Sequence, residues 1–478
     1  MARTADYEKP PAGNNTLFDG VADLLMELLM LLLRLALIAL WWAVLFPMLT
    51  FPLVAAGAAW RFLGWPAGTA VSIGAVAAWV MWWAWWPGSW RRWVWGRARS
   101  RWLAWKRYRA RWDSLTALAG LNTILNTKVL TPALSKVTIG DVADELLIKM
   151  VGGQTVAHWA KQTDALRNAF GAIGVRVRTA TKSGFVRLEI IHTDILTEPI
   201  PLPRVEPASC DLTALEVGVT ELGKPWRIKL LGNQILVAGM MGSGKGSVIW
   251  SLIAALGPAI RDGSVVLWVV DPKGGAEFGA ARHWFARFAY DNGEQALSIF
   301  KDAAELVQAR GQLYMDRFAR KLTPTPAEPL VLVIVDEAAS LTAYYSDRKI
   351  KDAILRYMGI VLTQSRAMAV PLLGSLQDPS KDVLEQRQLY PYRIGLRMAE
   401  PTQPNMVFGQ TGRDRGALCD EIPEDTPGVG YVEQESSTDI VRVRAYWVDD
   451  EDIRWIMRTY QPADRGDGLD TSGKPLLG

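Results

Sequence analysis

The sequence predicts an α/β protein. Its larger part reads as a doubly wound parallel sheet, preceded by a two-helix hairpin of membrane-spanning length and a small α+β module. Three observations carry this. A short apolar run, Gln234 to Ala238, leads into a glycine-rich loop and then an apolar helical pattern. A second run, Pro329 to Val335, is apolar throughout and ends in Asp336 and Glu337, as a buried parallel strand would. Near the start, Leu35 to Trp60 and Phe62 to Trp90 are both free of charge, each longer than the ~20 residues a helix needs to cross ~30 Å of hydrocarbon.

Composition narrows the classes. With 50% hydrophobic and 21% charged residues, the 478-residue chain is not a disordered one, and its length corresponds to about three domains. Cys210 and Cys419 are too few and too far apart for a disulfide framework, which points to a reducing compartment. His158, His192 and His283 are scattered and form no zinc-type spacing; His158 and His192 read as structural or surface residues. The net charge of +4 is unevenly spread: residues 1–112 hold 13 Lys/Arg and 5 Asp/Glu, and the rest 40 and 44. The basic balance therefore belongs to the N-terminal part and is no argument for nucleic-acid binding by the whole chain. Of the 22 tryptophans, 15 lie between Trp41 and Trp112, a composition that suits a membrane boundary.

Residues 1–23 read as a polar tail, with Pro10, Pro11, Asn14 and Asn15. Residues 24–112 follow as a hairpin and a basic helix. Arg61 alone separates the two charge-free stretches, so Arg61 to Gly64 should form the tip, while Pro47 and Pro52 kink the first span or mark its end. Glu27 and Arg34 flank the first span as interfacial residues. The stretches are too long for a cleaved leader. Nine Lys/Arg and no acid lie between Arg91 and Arg111, directly after the second span, which sets that side as cytoplasmic. With Trp90, Trp93, Trp95, Trp102 and Trp105 interleaved, the segment reads as an amphipathic helix on anionic lipid, and its Arg/Trp pattern also suits contact with nucleic acid.

Residues 113–210 read as the α+β module. Thr155 to Ala172 has helical spacing, and Val175 to Arg178 and Phe185 to Ile191 alternate like strands around a Lys182–Gly184 turn. Pro199 to Pro207 looks like a linker. No recognisable chemistry falls in this stretch.

Residues 211–448 carry the chemistry. In Gly239-Met240-Met241-Gly242-Ser243-Gly244-Lys245-Gly246-Ser247, the glycines let backbone N–H groups converge on phosphate oxygens at a helix N-terminus, and Lys245 reaches the β- and γ-phosphates. The usual pattern puts Ser or Thr after the lysine to hold Mg²⁺. Here Gly246 fills that slot, so the metal contact shifts to Ser247 or passes through water. Asp336 would hold Mg²⁺, directly or through water, and Glu337 would polarise the attacking water. Val265 to Val270 is another buried strand, ending in Asp271-Pro272-Lys273-Gly-Gly; Val370 to Ser380 contains a strand ending at Gln377, a polar group placed to sense the γ-phosphate. Tyr392 to Arg397 is a short strand with Arg393 and Arg397 on one face, and helical stretches over Glu294 to Lys321 and Arg348 to Ala369 separate the strands.

GMMGSGKGS, VVDPKGG, VLVIVDEAASL, SRAMAV, LQDPS and YRIGLRM occur in the order found in the FtsK/SpoIIIE DNA-pumping motors, which this region resembles from about Leu215 to Val448. The Asp271-Pro272-Lys273 motif is the most family-specific element, and the GKGS loop is similar to that of the plasmid-transfer branch in actinobacterial conjugative elements. The resemblance implies a P-loop NTPase domain of RecA-like fold in a membrane-anchored homo-hexameric ring, with two spans in the cytoplasmic membrane and the motor in the cytoplasm. Such a ring hydrolyses ATP with Mg²⁺ and drives double-stranded DNA through its centre, working with other transfer proteins. Lys245, Asp336 and Glu337 match the family's phosphate-loop lysine and catalytic carboxylates. Gln377 matches a sensor, although LQDP replaces the family's TQRP. Arg366, Arg393 and Arg397 match arginines among which a finger reaching a neighbouring subunit is sought. Residues 449–478 read as a C-terminal helix and tail, disordered from Gln461, with no room for the family's winged-helix DNA reader. The alternatives are a type IV coupling protein for single-stranded DNA, a protein-secretion motor of the type VII kind, and a chromosome-segregation role.

Overall fold

The computed structural model describes residues 25–26, 28–30, 33, 47–125, 128–206, 209–318, 320–342, 346–380, 385–433 and 439–462. The polar start over 1–23, Glu27, Arg34, most of the first charge-free stretch before Pro47 and the tail from 463 lie outside them. The chain divides into two compact units, Met1–Ala117 with Lys136–Ile139, and Leu118–Ser135 with Gly140–Gly478.

The first unit is helical. Helices Pro47–Leu63 and Trp65–Trp85 are joined by a turn at Gly64, whose φ of 85° lies in the left-handed region, so the tip falls where the lone Arg61 places it. Trp60 packs back across the turn onto Gly68, where even a Cβ would lie 1.4 Å from the indole. The second helix has 21 residues, which at 1.5 Å each is about 32 Å. It is the one helix among the described residues long and apolar enough to cross a membrane. Gly68 is its one buried residue. The chain then turns at Trp86 and continues through Pro87–Trp90, a π-helical turn over Arg91–Trp95, and helix Gly96–Arg107. Here cations sit over indoles: Arg97 is 4.2 Å from the Trp93 ring centre and Lys106 is 4.7 Å from that of Trp102.

A small sheet has four strands in the order β3-β4-β6-β5, with β3 (Ala133–Thr138), β4 (Ala143–Lys149), β5 (Gly174–Thr179) and β6 (Phe185–Ile191); β6 is antiparallel to both of its neighbours, and the short strands β1 (Thr123–Leu125) and β2 (Lys128–Leu130) pair separately with each other. The expected helix over Thr155–Ala172 is two helices, Val156–Lys161 and Thr163–Phe170, interrupted at Gln162. Strand β4 carries Asp144, Glu145 and Lys149, and these charges hid its alternation. Asp144 is buried and meets His192 at 2.9 Å, which makes that histidine structural.

The large sheet has ten strands: β7 (Leu215–Thr220), β8 (Pro225–Ile228), β9 (Ile235–Ala238), β10 (Val265–Val270), β11 (Arg287–Ala289), β12 (Leu330–Val335), β13 (Leu372–Leu376), β14 (Tyr392–Leu396), β15 (Val429–Glu433) and β16 (Ile440–Ala445), in the spatial order β11-β10-β12-β13-β9-β14-β15-β16-β7-β8. The first six are parallel, as the continuous apolar runs predict, because both faces are covered. Helix Lys245–Arg261 packs into the core on one face, where Trp250 and Ile253 share a cluster with Ile456 of the C-terminal helix Asp450–Thr459 and with Tyr460 just after it. Helices Glu294–Asp316 and Arg348–Gln364 cover the other face. The remaining four strands are antiparallel and extend the sheet beyond β14, so the sheet is mixed rather than wholly parallel.

The linker-like segment is not free. Trp447 N–H donates to Ile200 O at 2.7 Å, and Pro201 bridges to Trp447. Arg176 on β5 pairs with Glu221 after β7 at 2.9 Å, and Arg442 on β16 pairs with Asp194 at 2.6 Å. The module and the large sheet are stitched together within one unit.

Candidate nucleotide site

Strands β9, β12, β13 and β14 end at one edge of the sheet, where open α/β sheets bind ligands. The glycine-rich loop leaves β9 there, and its neighbours fix it. Gly239 N–H donates to Leu376 O at 3.0 Å, Met240 N–H to Arg397 O at 2.9 Å, and Gly428 N–H to Ser243 O at 2.9 Å. Gly244 precedes the helix with φ 93°, and a Cβ there would lie 2.2 Å from the Gly428 nitrogen; the position needs glycine for its conformation and for this close approach. The loop is therefore clamped between the parallel strands and the start of β15.

Lys245 Nζ donates to the loop's own carbonyls, Gly239 O at 2.7 Å and Met240 O at 3.2 Å. Burial lowers its pKa, against the opposing pull of Glu337 and Asp336. An anion in the loop would give this desolvated ammonium a counter-charge in direct contact.

The carboxylates of β12 face the loop across β13. Ser375 of β13 donates to Asp336 Oδ1 at 3.2 Å. Lys273 Nζ lies 3.9 Å from Asp336 Oδ2 and 3.4 Å from Glu337 Oε2. Burial raises the Asp336 carboxyl above its ordinary range, with Lys273 opposing. Glu337 is held in the left-handed region at φ 62°, which costs a non-glycine residue on the order of 1–3 kcal/mol. Gln377 N–H donates to its Oε1 at 3.3 Å, and Ala338 N–H to Ser375 O at 2.9 Å, so β13 holds the strained residue in place. An open cleft of about 320 Å³ lies here, lined by Met240, Met241, Lys273, Glu337, Gln377 and Asp378.

The Asp271-Pro272-Lys273 turn divides its work. The Asp271 carboxylate is buried and accepts from the N–H groups of Glu277 at 3.0 Å and Phe278 at 2.9 Å, which shapes the turn; Lys273 reaches the β12 carboxylates. The sequence singled out this motif without a geometry for it. Ser375 and Glu277 were not legible as site residues at all, because their relevance depends on which strands are neighbours.

The three arginines separate. Alternation puts Arg393 and Arg397 on one face, yet four residues of strand set them about 13 Å apart. Arg397 stands beside the loop of its own chain: its Nη2 is 4.0 Å from where a Cβ on Gly242 would lie, and it meets Glu424 at 3.4 Å. Arg393 spends its guanidinium on the carbonyls of Tyr390 and Val407, both at 2.9 Å. Arg366 follows the Arg348–Gln364 helix and packs near Gly232, at the opposite end of β9 from the loop. Ser247 sits in the first turn of the loop's helix.

Residues 92–192 match the family described as the actinomycete conjugal transfer protein N-terminal domain. The transfer protein TraSA of Streptomyces ambofaciens is 27% identical over 329 residues, covering 63% of this chain and 75% of that protein. The chain resembles the FtsK/SpoIIIE DNA translocases and an actinomycete conjugal transfer protein. DNA translocase FtsK 1 of Neisseria meningitidis is 25% identical over 278 residues, and the chain spans about a third of its length, 32%. Among solved structures, the pCW3 conjugation coupling protein TcpA with ATPγS superposes with a TM-score of 0.48 at 20% identity, over 74% of this chain and 98% of that one.

Proposed function

We propose that this chain is a membrane-anchored ring ATPase, a homo-hexamer, that uses ATP hydrolysis to move double-stranded DNA in the conjugative transfer of a plasmid or integrative element. The observation that carries the reading is the convergence of Lys273, Glu337 and Gln377 with the loop's Met240 and Met241 on one cleft, Asp336 lying against Lys273, in an order of motifs shared with DNA translocases. In this reading the motor spans 211–448. Gly239 to Ser247 cradle the phosphates, Lys245 turns from its loop carbonyls to the β- and γ-phosphates, and Glu337 holds the attacking water. Gln377, whose backbone grips Glu337, couples γ-phosphate occupancy to that carboxylate. Asp336 would hold Mg²⁺ beside the triphosphate, Ser247 being the other ligand read from the sequence, and the bound ion would neutralise phosphate charge. Arg397 acts on its own subunit's nucleotide, which leaves Arg366 as the better placed of the three for contact with a neighbour. Helix Trp65–Trp85 and the hairpin it closes would anchor the ring, with the Arg/Trp helix on the cytoplasmic face; the anchor reading is supported by the helix's length and by its exposed apolar surface.

The test is ATP hydrolysis by the full chain in detergent, without nucleic acid, with duplex and with single-stranded DNA, against Glu337→Gln. Stimulation by duplex is the expected outcome. Preferential stimulation by single strands would replace the duplex pump with a coupling protein, and no response to either would point to protein export.

A further inference from the structure

The glycine after the loop lysine has a structural cause. A Cβ on Gly246 would lie 2.1 Å from Glu277 Oε1 and 3.0 Å from its Cδ. The carboxylate of Glu277 thus occupies the space into which a serine or threonine at 246 would project its hydroxyl. The placement is built in, because the Glu277 and Phe278 N–H groups both donate to Asp271 Oδ2 and the Phe278 ring is fully buried.

Two physical points follow. Among the described residues, no hydrogen bond or ion pair engages the Glu277 carboxylate, although it sits at the mouth of the loop. A carboxylate in that position would repel a triphosphate, since like charges within a few ångströms in a partly desolvated site repel strongly. The arrangement suits a phosphate ligand best when a divalent cation lies between the two. We propose that Glu277 supplies the protein oxygen to the divalent cation that accompanies the triphosphate, in the role of the missing hydroxyl, and that Gly246 is the residue that leaves it room. This rests on the nucleotide-site reading above and replaces Ser247 as the second ligand beside Asp336. It suits a hard cation that keeps several waters and takes one or two carboxylates from the protein.

The experiment uses the full chain in detergent with a non-hydrolysable ATP analogue and Mn²⁺, followed by electron paramagnetic resonance, together with analogue affinity in EDTA. Glu277→Gln should weaken Mn²⁺ binding in the nucleotide complex by about 10-fold or more, a loss of the size that disturbing metal-site partners produces. The same variant should bind metal-free analogue as tightly as the parent or more so, because the repulsion is gone. Gly246→Ser combined with Glu277→Ala rebuilds the ordinary hydroxyl and should recover Mn²⁺ affinity over Glu277→Ala alone. Mn²⁺ affinity unchanged in Glu277→Gln would overturn the proposal. If that variant instead loses metal-free and metal-bound nucleotide alike, the double variant decides, and failure to recover overturns it. Analogue binding that is absent from the unsubstituted chain would sink the nucleotide reading itself, whereas intact binding with Mn²⁺ affinity indifferent to residue 277 would remove Glu277 alone.

Discussion

Strand β12 and helix Trp65–Trp85 are both uncharged and dominated by apolar residues, and the structure treats them in opposite ways. Every residue of β12 is buried, between a neighbouring strand on each side and helices on both faces. In the helix, Ile73, Val76 and Trp85 are 70%, 64% and 65% exposed. A strand leaves its backbone groups to be paired by neighbours, so an apolar strand is stable only inside a sheet. A helix satisfies its own backbone and can present apolar side chains outward to lipid. Equal hydrophobicity therefore means a core in one region and, in our reading, a membrane surface in the other. An exposed apolar face of this extent on a soluble protein would mark a contact site or an aggregation hazard.

Placing the same charge in each region tests that contrast. Val333→Lys puts an unpaired ammonium among fully buried residues and should cost roughly 5 kcal/mol or more, enough to unfold the motor; loss of the cooperative thermal transition would register it. Lys245→Ala should lower ATP turnover by roughly 10²–10³-fold or more while leaving the protein in the membrane fraction, separating the two regions by function; retained turnover would mean the loop does not bind the phosphates. Val76→Lys should cost about 2.5–3.5 kcal/mol at the bilayer centre and reduce recovery in the membrane fraction, with nucleotide affinity unchanged. Unaltered recovery would show that this face does not meet lipid. The smallest effect belongs to Asp449→Ala, which removes the side chain that accepts from Glu451 and Asp452 N–H at 2.8 and 2.9 Å. The loss should be about 1 kcal/mol, read as a melting-temperature shift of a few degrees.

The elements legible in the sequence were those whose pattern is local. Val265–Val270 and Leu330–Val335 are strands where the apolar runs place them, and the loop after β9 has the glycines its left-handed turns require. The helix expected over Glu294 to Lys321 closes at Asp316. The antiparallel half of the sheet was missed for a physical reason. In β16, Arg442 and Arg444 interrupt the apolar pattern, yet Arg442 finds Asp194 and Arg444 donates to Leu196 O at 2.7 Å. Charges satisfied by distant partners look, in one dimension, like a surface loop. The arginines of β14 show the same limit from the other side: their shared face was readable, but Arg397 reaches the loop while Arg393 is consumed by backbone carbonyls.

By itself the sequence determined which segments must be buried strands, where backbone must turn on glycine, and which lysine and carboxylates are available for phosphate chemistry, because these follow from side-chain period, backbone sterics and charge. Only the tertiary structure decided that β13 stands between β9 and β12, that Lys273 bridges Asp336 and Glu337, and that Gly246 yields to Glu277. Those facts depend on strand order and on close approaches between residues far apart in the chain, and no local pattern encodes a distance.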